Sequence, residues 1–562
     1  MLSSERRRSP RTSRRSGRIW LFALLVPFIV AACVTVVDPG SVAQSPVASQ
    51  AASTPDPFAT PSLAPLASPT PRPTPAPTPE PIDAEVFGFL PNWLIEDAAL
   101  AMDTDLLTTV AIHGVEASRD GRLVARKPSG EVPSGWKVLQ SDAFRQLQAK
   151  LQNDGVKVVL TVQRFGWSEG TLKRTTSLLN DKQARARLAQ RIAKLVDERG
   201  LDGVNLDFEP MPSALTNRFS AFVREVRTEL DKVDDDLQLS VDVVSSISGY
   251  DLAALTAAAA ADFAIIMGYN YRGERAARAG SMAPLIDPDI GDLNASVEMA
   301  LAEVSPDKIV LALPWYGRAW STESDQEGAA TVSGRGIDGS ANVPYAVAVE
   351  FATKSGRRFE PDQVSAWTAY PSRKCATCDS VWRQVWYDDP DSFGTKIDYA
   401  LEQELAGVGV WALGHEAGRE EMWWALRDRL RPRQDDAPPN GSASLDPVGI
   451  LGELEGLEVV EGSAPLRLFA SDGSEGSGLV LARIGLGDEL DGAGRLVDAR
   501  TYPAADRIDF PLADPETGGS GESGPRSIQV QWRDIAGNWS TPLTLEVWVQ
   551  EPTGMPTPGD LG

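Results

Sequence analysis

Histidine and cysteine are nearly missing from this chain: among 562 residues there are two histidines, His113 and His415, and three cysteines, Cys33, Cys375 and Cys378. So few cysteines exclude a disulfide framework. Two histidines argue against a Cys/His zinc site and an HExxH metalloprotease helix, and they leave little for a Ser-His-Asp triad. Cys375-Ala-Thr-Cys378 reads as a small structural disulfide or as free thiols, with redox chemistry the weaker reading. Net positive charge is absent too. The chain carries -24, and residues 1–18 hold seven Arg against one Glu, so setting that +6 aside leaves -30 on the remainder. A body this acidic is poorly suited to nucleic acid and better suited to neutral or cationic ligands. The apolar fraction, 42%, is ordinary for a globular protein, and the length implies two or three domains.

The basic N-terminus turns apolar from Ile19 to Val37, interrupted only by Pro27. A basic start followed by an apolar core reads as a secretory signal, and the run is also long enough to span a bilayer. Val30-Ala-Ala-Cys33 resembles a bacterial lipobox, which makes Cys33 a candidate for lipidation. Residues 1–37 are therefore a signal with lipobox or an uncleaved membrane anchor, and either places the body outside the cytoplasmic membrane. Residues 38–82 are Ala, Ser, Thr and Pro, with a proline at every second position from Pro69 to Pro81. This is an extended spacer, reaching on the order of 100 Å at about 3.1 Å per residue.

Beyond Asp83 apolar strands alternate with helical patterns. Strands are expected at Val86–Leu90, Thr109–Ile112, Val156–Val162, Leu201–Pro210, Leu237–Val244, Phe263–Met267, Lys308–Pro314 and Gly407–Leu413. The fourth organises the rest. In Leu201-Asp-Gly-Val-Asn-Leu-Asp-Phe-Glu-Pro210, Val204, Leu206 and Phe208 share one face, and Asn205, Asp207 and Glu209 share the other. Amphipathic helices flank it: Leu188, Ile192, Leu195 and Val196 before, with Asp181 as N-cap and Gly200 past the end, then Phe219, Phe222, Val223, Val226 and Leu230. Helix-strand-helix implies a parallel strand with both faces covered, so the polar face looks into a barrel or a crevice. Acids at the C-terminal end of such a strand read as catalytic. No other strand end shows a comparable acid pair. Eight strands with intervening helices fit an α/β (β/α)8 barrel over 83–432, and the long gap at 318–385 fits an inserted small α+β piece. Residues 433–449 read as a linker. Alternation at Ile528, Val530 and Trp532 and at Leu543, Leu545, Val547 and Val549 suggests a separately folding β-sandwich at 450–551, before a tail at 552–562.

Asp202-Gly-Val-Asn-Leu-Asp-Phe-Glu209 resembles the Asp-Gly-x-Asp-x-Asp-x-Glu signature of glycoside hydrolase family 18, the chitinase family. Pro91-Asn-Trp93 and Met267-Gly-Tyr-Asn270 resemble two further motifs of that family. The resemblance implies a barrel enzyme, without metal or cofactor, that cleaves polymers of N-acetylglucosamine using the substrate's own acetamido group as nucleophile. It implies Glu209 as general acid, Asp207 as the group aligning the acetamido N–H, and Tyr269 as the partner of its carbonyl. Trp411 would floor the reacting sugar. Asn205, Met267, Asn270, Trp93, Trp315 and Tyr316 are the further substrate-binding candidates. The chain departs from the pattern at Asn205 and Asn270, where the family usually has Asp, and at Thr161-Val-Gln-Arg164 on the third strand. Two amides in place of two acids should make Asp207 and Glu209 easier to ionise. The expected partner is a polysaccharide, chitin or peptidoglycan, with membrane contact only through the N-terminal anchor or lipid. The other reading is a carbohydrate-binding protein that does not cleave. Arg533-Asp-Ile-Ala-Gly-Asn-Trp-Ser540 resembles a hairpin of fibronectin- or Ig-like modules on secreted bacterial enzymes.

Overall fold

Apolar alternation on eight short segments produces a closed cylinder. The computed structural model describes residues 84–95, 102–431, 435–473, 476–520 and 522–550. The signal, anchor and lipobox readings of 1–37, the spacer at 38–82 and the tail at 552–562 lie outside them. Strands β1 (Glu85–Pro91), β2 (Thr109–Glu116), β3 (Lys157–Phe165), β4 (Gly203–Glu209), β5 (Gln238–Val244), β6 (Phe263–Met267) and β7 (Ile309–Pro314) enter the barrel in chain order. The chain then leaves it for β8 (Tyr316–Thr322), β9 (Ala341–Pro344), β10 (Arg358–Glu360), β11 (Ser365–Ser372) and β12 (Val381–Tyr387), and returns with β13 (Gly407–Trp411). The order around the barrel is β1-β13-β7-β6-β5-β4-β3-β2. Every pair is parallel. This is the (β/α)8 architecture expected from the sequence.

Helices cover the barrel because each carries one apolar stripe. Helix α1 (Lys182–Arg199) buries Leu188, Ile192, Leu195 and Val196. It starts where Asp181 accepts hydrogen bonds from the Gln183 and Ala184 amides, and it ends at Gly200, which takes the left-handed conformation with φ 59°. Helix α2 (Thr216–Leu230) buries Phe219, Phe222, Val223, Val226 and Leu230. Phe208, on the outer face of β4, packs between Phe219 and Phe222 with ring centroids 5.4 Å from each. The outer face of β4 is thereby committed to the helix layer, and period two sends Asn205 and Asp207 inward.

The insertion forms a five-stranded antiparallel sheet, β10-β11-β12-β8-β9, accompanied by helix α3 (Tyr345–Ser355). This matches the expected α+β piece between the seventh and eighth barrel strands. Cys375 and Cys378 form a disulfide in the β11–β12 connection.

Past the barrel's last helices, α4 (Pro390–Glu402) and α5 (Glu421–Leu430), two further sheets follow. One is β14 (Asn440–Leu445), β17 (Ser463–Ser471) and β20 (Arg507–Pro511). The other runs β15-β16-β22-β21-β18-β19, comprising β15 (Gly452–Leu454), β16 (Leu457–Glu461), β18 (Leu479–Gly485), β19 (Ala499–Pro503), β21 (Gly524–Asp534) and β22 (Leu543–Gln550). Leu466, Ile508 and Phe510 of the first sheet share a core with Ile484, Val530, Trp532 and Val547 of the second. Two features differ from expectation. β14 starts at Asn440, inside the stretch expected to be a linker. Val480, Leu481 and Ile535 are buried in the core that also contains the barrel helices, so apolar surface is continuous from barrel to sheets. Trp424 lies so close over Gly478 that a Cβ there would sit 2.6 Å from the indole. Among the described residues no helix is long and apolar enough to cross a membrane.

Candidate active site

The barrel interior is apolar on one side and polar on the other. Phe87 and Phe89 of β1, Ala111 of β2, Ile265 of β6 and Val310 and Ala312 of β7 fill one side. Opposite them the register places Asn205 beside Ser240 and Asp207 beside Asp242 on adjacent strands. Asn205 Nδ2 donates to Asp242 Oδ1 at 2.9 Å and to Ser240 Oγ at 3.1 Å. Above this column, Glu209 ends β4 at the mouth of the barrel, held from behind by Tyr250, whose hydroxyl donates to the Phe208 carbonyl at 2.9 Å.

A cleft of about 510 Å³ opens over these acids. Asp207, Glu209 and Asp242 line it, together with Tyr269, Met267, Asn270, Tyr316, Trp411 and Trp93. Trp411 lines it beside Phe89, with centroids 5.6 Å apart. Trp93 stands at the rim with 63% of its surface exposed, a free aromatic face for stacking. Tyr316 Oη donates to Asn270 Oδ1 at 3.2 Å, which ties the insertion's first strand to the end of β6.

Two candidates fall elsewhere. Trp315 is fully buried on the outside of the barrel, edge-on to Trp423 at 4.9 Å and to Phe393 at 5.9 Å. Its neighbour Tyr316 takes the inward position, as period two requires. Asn205 lies beneath the cleft with no exposure and holds Asp242 rather than lining the cavity.

Asp242 is the principal residue that the sequence reading missed. Gln238, Ser240 and Asp242 alternate with Leu239, Val241 and Val243, the same period-two signal that singled out Asp207. Both histidines were passed over as well. His113 and His415 line the same cleft. β2 shifts register against β3 just after His113. His113 stands edge-on to Trp411 at 4.9 Å, and burial lowers its pKa to about 4, so it is a neutral imidazole at pH 7. Burial lowers His415 to about 4 as well, with the Trp315 backbone opposing. Phe165 and Asn342 complete the walls.

The acids are not easier to ionise, contrary to the expectation from the two amides. Burial raises the Glu209 carboxyl to about 7, partly offset by a hydrogen bond from Trp167. Asp207 is pushed well above the usual carboxylate range by burial, then by the charges of Asp242 and Glu209. Asp242 moves up for the same first reason, with the Asn205 hydrogen bond opposing and the Glu209 charge adding to the rise. Removing charge at Asn205 was outweighed by desolvation and by Asp242 itself. The result is a cluster of three acids all shifted toward the protonated form, with Glu209, the least buried of them, at the mouth of the cleft.

The family profile "Glycosyl hydrolases family 18" matches residues 85–416. YdhD of Bacillus subtilis, provisionally described as a sporulation-specific glycosylase, is 27% identical over 46% of this chain and 61% of its own length. Di-N-acetylchitobiase of Rattus norvegicus is 30% identical over 43% of this chain and 71% of its own. In three dimensions the chain is similar to the GH18 chitinase of Cycas revoluta in complex with (GlcNAc)3, with TM-score 0.51, 23% identity, 61% of this chain and 99% of that one covered. The chain spans about three fifths of the length of the Bacillus relative, so the likeness concerns the barrel and its insertion. The eight-stranded barrel, the acid-lined cleft and the match over residues 85–416 together place this chain in glycosyl hydrolases family 18.

Proposed function

We propose that the chain is a glycosidase that cleaves β-1,4 bonds in polymers containing N-acetylglucosamine, with retention of anomeric configuration and the substrate's acetamido group as nucleophile. The observation that carries this reading is the distribution of carboxylates in the cleft. All three, Asp207, Glu209 and Asp242, come from β4 and β5, and among the described residues the rest of the lining is aromatic, amide or imidazole apart from Met267 and Pro344. A retaining enzyme with its own nucleophile needs a second carboxylate about 5–5.5 Å away across the sugar. Among the other described residues of the lining no carboxylate is present to supply it. An acetamido group on the sugar fills that place.

In this reading Glu209 protonates the leaving oxygen, and burial, by raising its carboxyl to about 7, keeps a usable fraction protonated at neutral pH. Asp207 accepts the acetamido N–H, and Tyr269 donates to its carbonyl. Asp207 Oδ1 is buried with no hydrogen-bond partner and so offers a free acceptor to the substrate. Trp411 closes the site from below. The chain acts outside the cytoplasmic membrane, tethered through its N-terminus, a reading that rests on residues 1–82 alone.

The test is incubation of the full chain with chitooligosaccharides and with purified peptidoglycan, products being read by mass and the first-formed anomer by NMR. Retention is expected, together with loss of cleavage on fully deacetylated oligosaccharides. An inverted product, or equal cleavage of the deacetylated substrate, sinks the mechanism. Binding without turnover on every substrate leaves the non-catalytic carbohydrate-binding reading in its place.

A further inference from the structure

Among the described residues Arg318 is a buried arginine that pairs with no carboxylate. Three other buried arginines each reach a carboxylate: Arg164 pairs with Glu116 at 2.7 Å, Arg185 with Glu225 at 3.0 Å and Arg227 with Asp231 at 2.7 Å. Among the described residues Arg383 forms no ion pair, but it donates to the Gly339 and Asp338 carbonyls and the Ser321 hydroxyl, and the Asp338 charge acts on it. Arg318 is 9% exposed, and its acceptor is a neutral amide oxygen, Asn270 Oδ1, at 3.2 Å from Nη2. Its Nε is buried with no acceptor. Among the described residues no carboxylate pairs with it. Desolvating a guanidinium against one long, uncharged hydrogen bond is costly and persists where something else supplies the anion.

The surroundings say where that anion arrives. Asn270 and Tyr316, which share the amide oxygen with Arg318, line the sugar cleft, as does Asn342, the residue paired with Arg318 across β8 and β9. The acids of the cleft lie on β4 and β5, whereas Arg318 and its partners come from β8, β9 and the end of β6. An Asp at position 270 would neutralise Arg318 from within the protein. With Asn there, the charge is left for the ligand.

We propose that Arg318, presented through Asn270, selects a carboxylated N-acetylhexosamine, so that the preferred substrate is a glycan strand bearing lactyl-ether carboxylates, as in peptidoglycan, rather than the neutral polymer chitin. This rests on the sugar-cleft reading given above and narrows its substrate class. A guanidinium meets a carboxylate through paired, charge-assisted hydrogen bonds, stronger than the single amide contact it now makes.

The experiment reads binding, so that it does not depend on turnover. In a Glu209→Gln background of the full chain, calorimetry at low salt compares three disaccharides: N-acetylglucosaminyl-N-acetylmuramic acid with a free lactyl carboxylate, the same sugar with that group as its amide, and N,N′-diacetylchitobiose. The carboxylate form should bind at least about tenfold tighter than its amide, with the advantage shrinking as salt is raised. Arg318→Met and Asn270→Asp should each bring the two forms within about twofold. Asn270→Asp is the safer variant for folding, because Asn270 has φ 64° and Asp tolerates that region as Asn does. Equal binding of carboxylate and amide in the Glu209→Gln background overturns the proposal while leaving the glycosidase reading in place. Failure to bind any of the three sugars takes down both. A carboxylate preference that survives Asn270→Asp and Arg318→Met overturns the assignment to Arg318.

Discussion

Two pairs of buried carboxylates, about equally hidden, are partnered differently. Asp207 and Asp242 on the barrel strands are 4% and 2% exposed, and Asp388 and Asp389 ahead of helix α4 are both 3% exposed. Each acid of the second pair has a cation. Lys396 Nζ donates to Asp388 at 2.5 Å, Arg357 Nε donates to Asp389 at 2.8 Å, and Arg357 reaches on to Asp391 at 3.1 Å. Asp388 still moves up, because burial outweighs the charge and hydrogen bond of Lys396, whereas for Asp389 the charge and hydrogen bonds of Arg357 and the Ser392 contacts outweigh burial and hold the group below the usual range. The first pair has an amide for company, and among the described residues no cation pairs with it. Burial therefore wins there, and Asp207 moves up. Burial by itself does not mark a functional acid. Burial without a countercharge, facing a cleft, does.

The sharpest break between the two groups is at Glu209. Glu209→Gln should leave a soluble, folded chain and remove about 10²–10⁴ of the turnover on an unactivated substrate. Circular dichroism checks the fold and product release checks the rate. A near wild-type rate would move the acid elsewhere. The partnered cluster should respond in the other currency. Arg357→Met leaves the buried Asp389 without its charge partner and should cost about 3–5 kcal/mol of stability. Turnover per folded molecule should be unchanged, since Arg357 lies outside the cleft. Denaturant unfolding with assays below the transition separates the two, and a catalytic defect without loss of stability would erase the distinction.

A smaller effect tests how far the partnered cluster belongs to one folding unit. Asp391 also accepts from Arg533 of β21 at 2.7 Å, and Leu481 of β18 is buried in the barrel's own core. Leu481→Ala should therefore lower the stability of the barrel itself, by about 2–5 kcal/mol. The readout is the thermal transition of glycan binding, which reports the barrel alone. A barrel transition that stays in place would restore independent folding of the C-terminal sheets.

Much of this was legible because period two and period 3.6 are strong signals when both faces of a strand are covered. All eight barrel strands lie where the apolar runs place them, and Asp181 and Gly200 bound α1 as capping chemistry requires. The sequence hid what depends on register between strands. Asp242 meets Asp207 only because β5 pairs with β4 at that offset, and no local pattern carries the offset. Trp315 and Tyr316 are neighbours in sequence, and which of them turns inward depends on how β7 leaves the barrel. Arg318 looked like one arginine among many. Its lack of an acid depends on the fold, which sets Asn270 against it. The continuity of the barrel with the sheets was equally hidden, because Val480, Leu481 and Ile535 lie far along the chain from the helices whose core they join.

The smallest expected effect is also the most direct measure of the missing countercharge. Burial raises the Glu209 carboxyl from 4.5 to about 7. Between those values the folded chain holds a proton that the unfolded chain has released, so stability falls as pH rises through that window. The contribution of the neutral carboxyl is fully present below about 4.5 and is lost once pH passes about 7. Gln cannot ionise, and it also removes a charge that helps to raise Asp207 and Asp242. Glu209→Gln should therefore melt several degrees higher than the wild type at pH 8, with the gap closing as pH is brought down to 4. The wild-type rate should fall over the upper part of the same window, because the acid must be protonated to act. Melting temperatures of both proteins from pH 4 to 8.5, set beside the wild-type pH-rate profile, give the comparison. If the two melting curves run parallel, Glu209 ionises as freely as a surface acid, and the contrast between its cluster and the partnered one disappears.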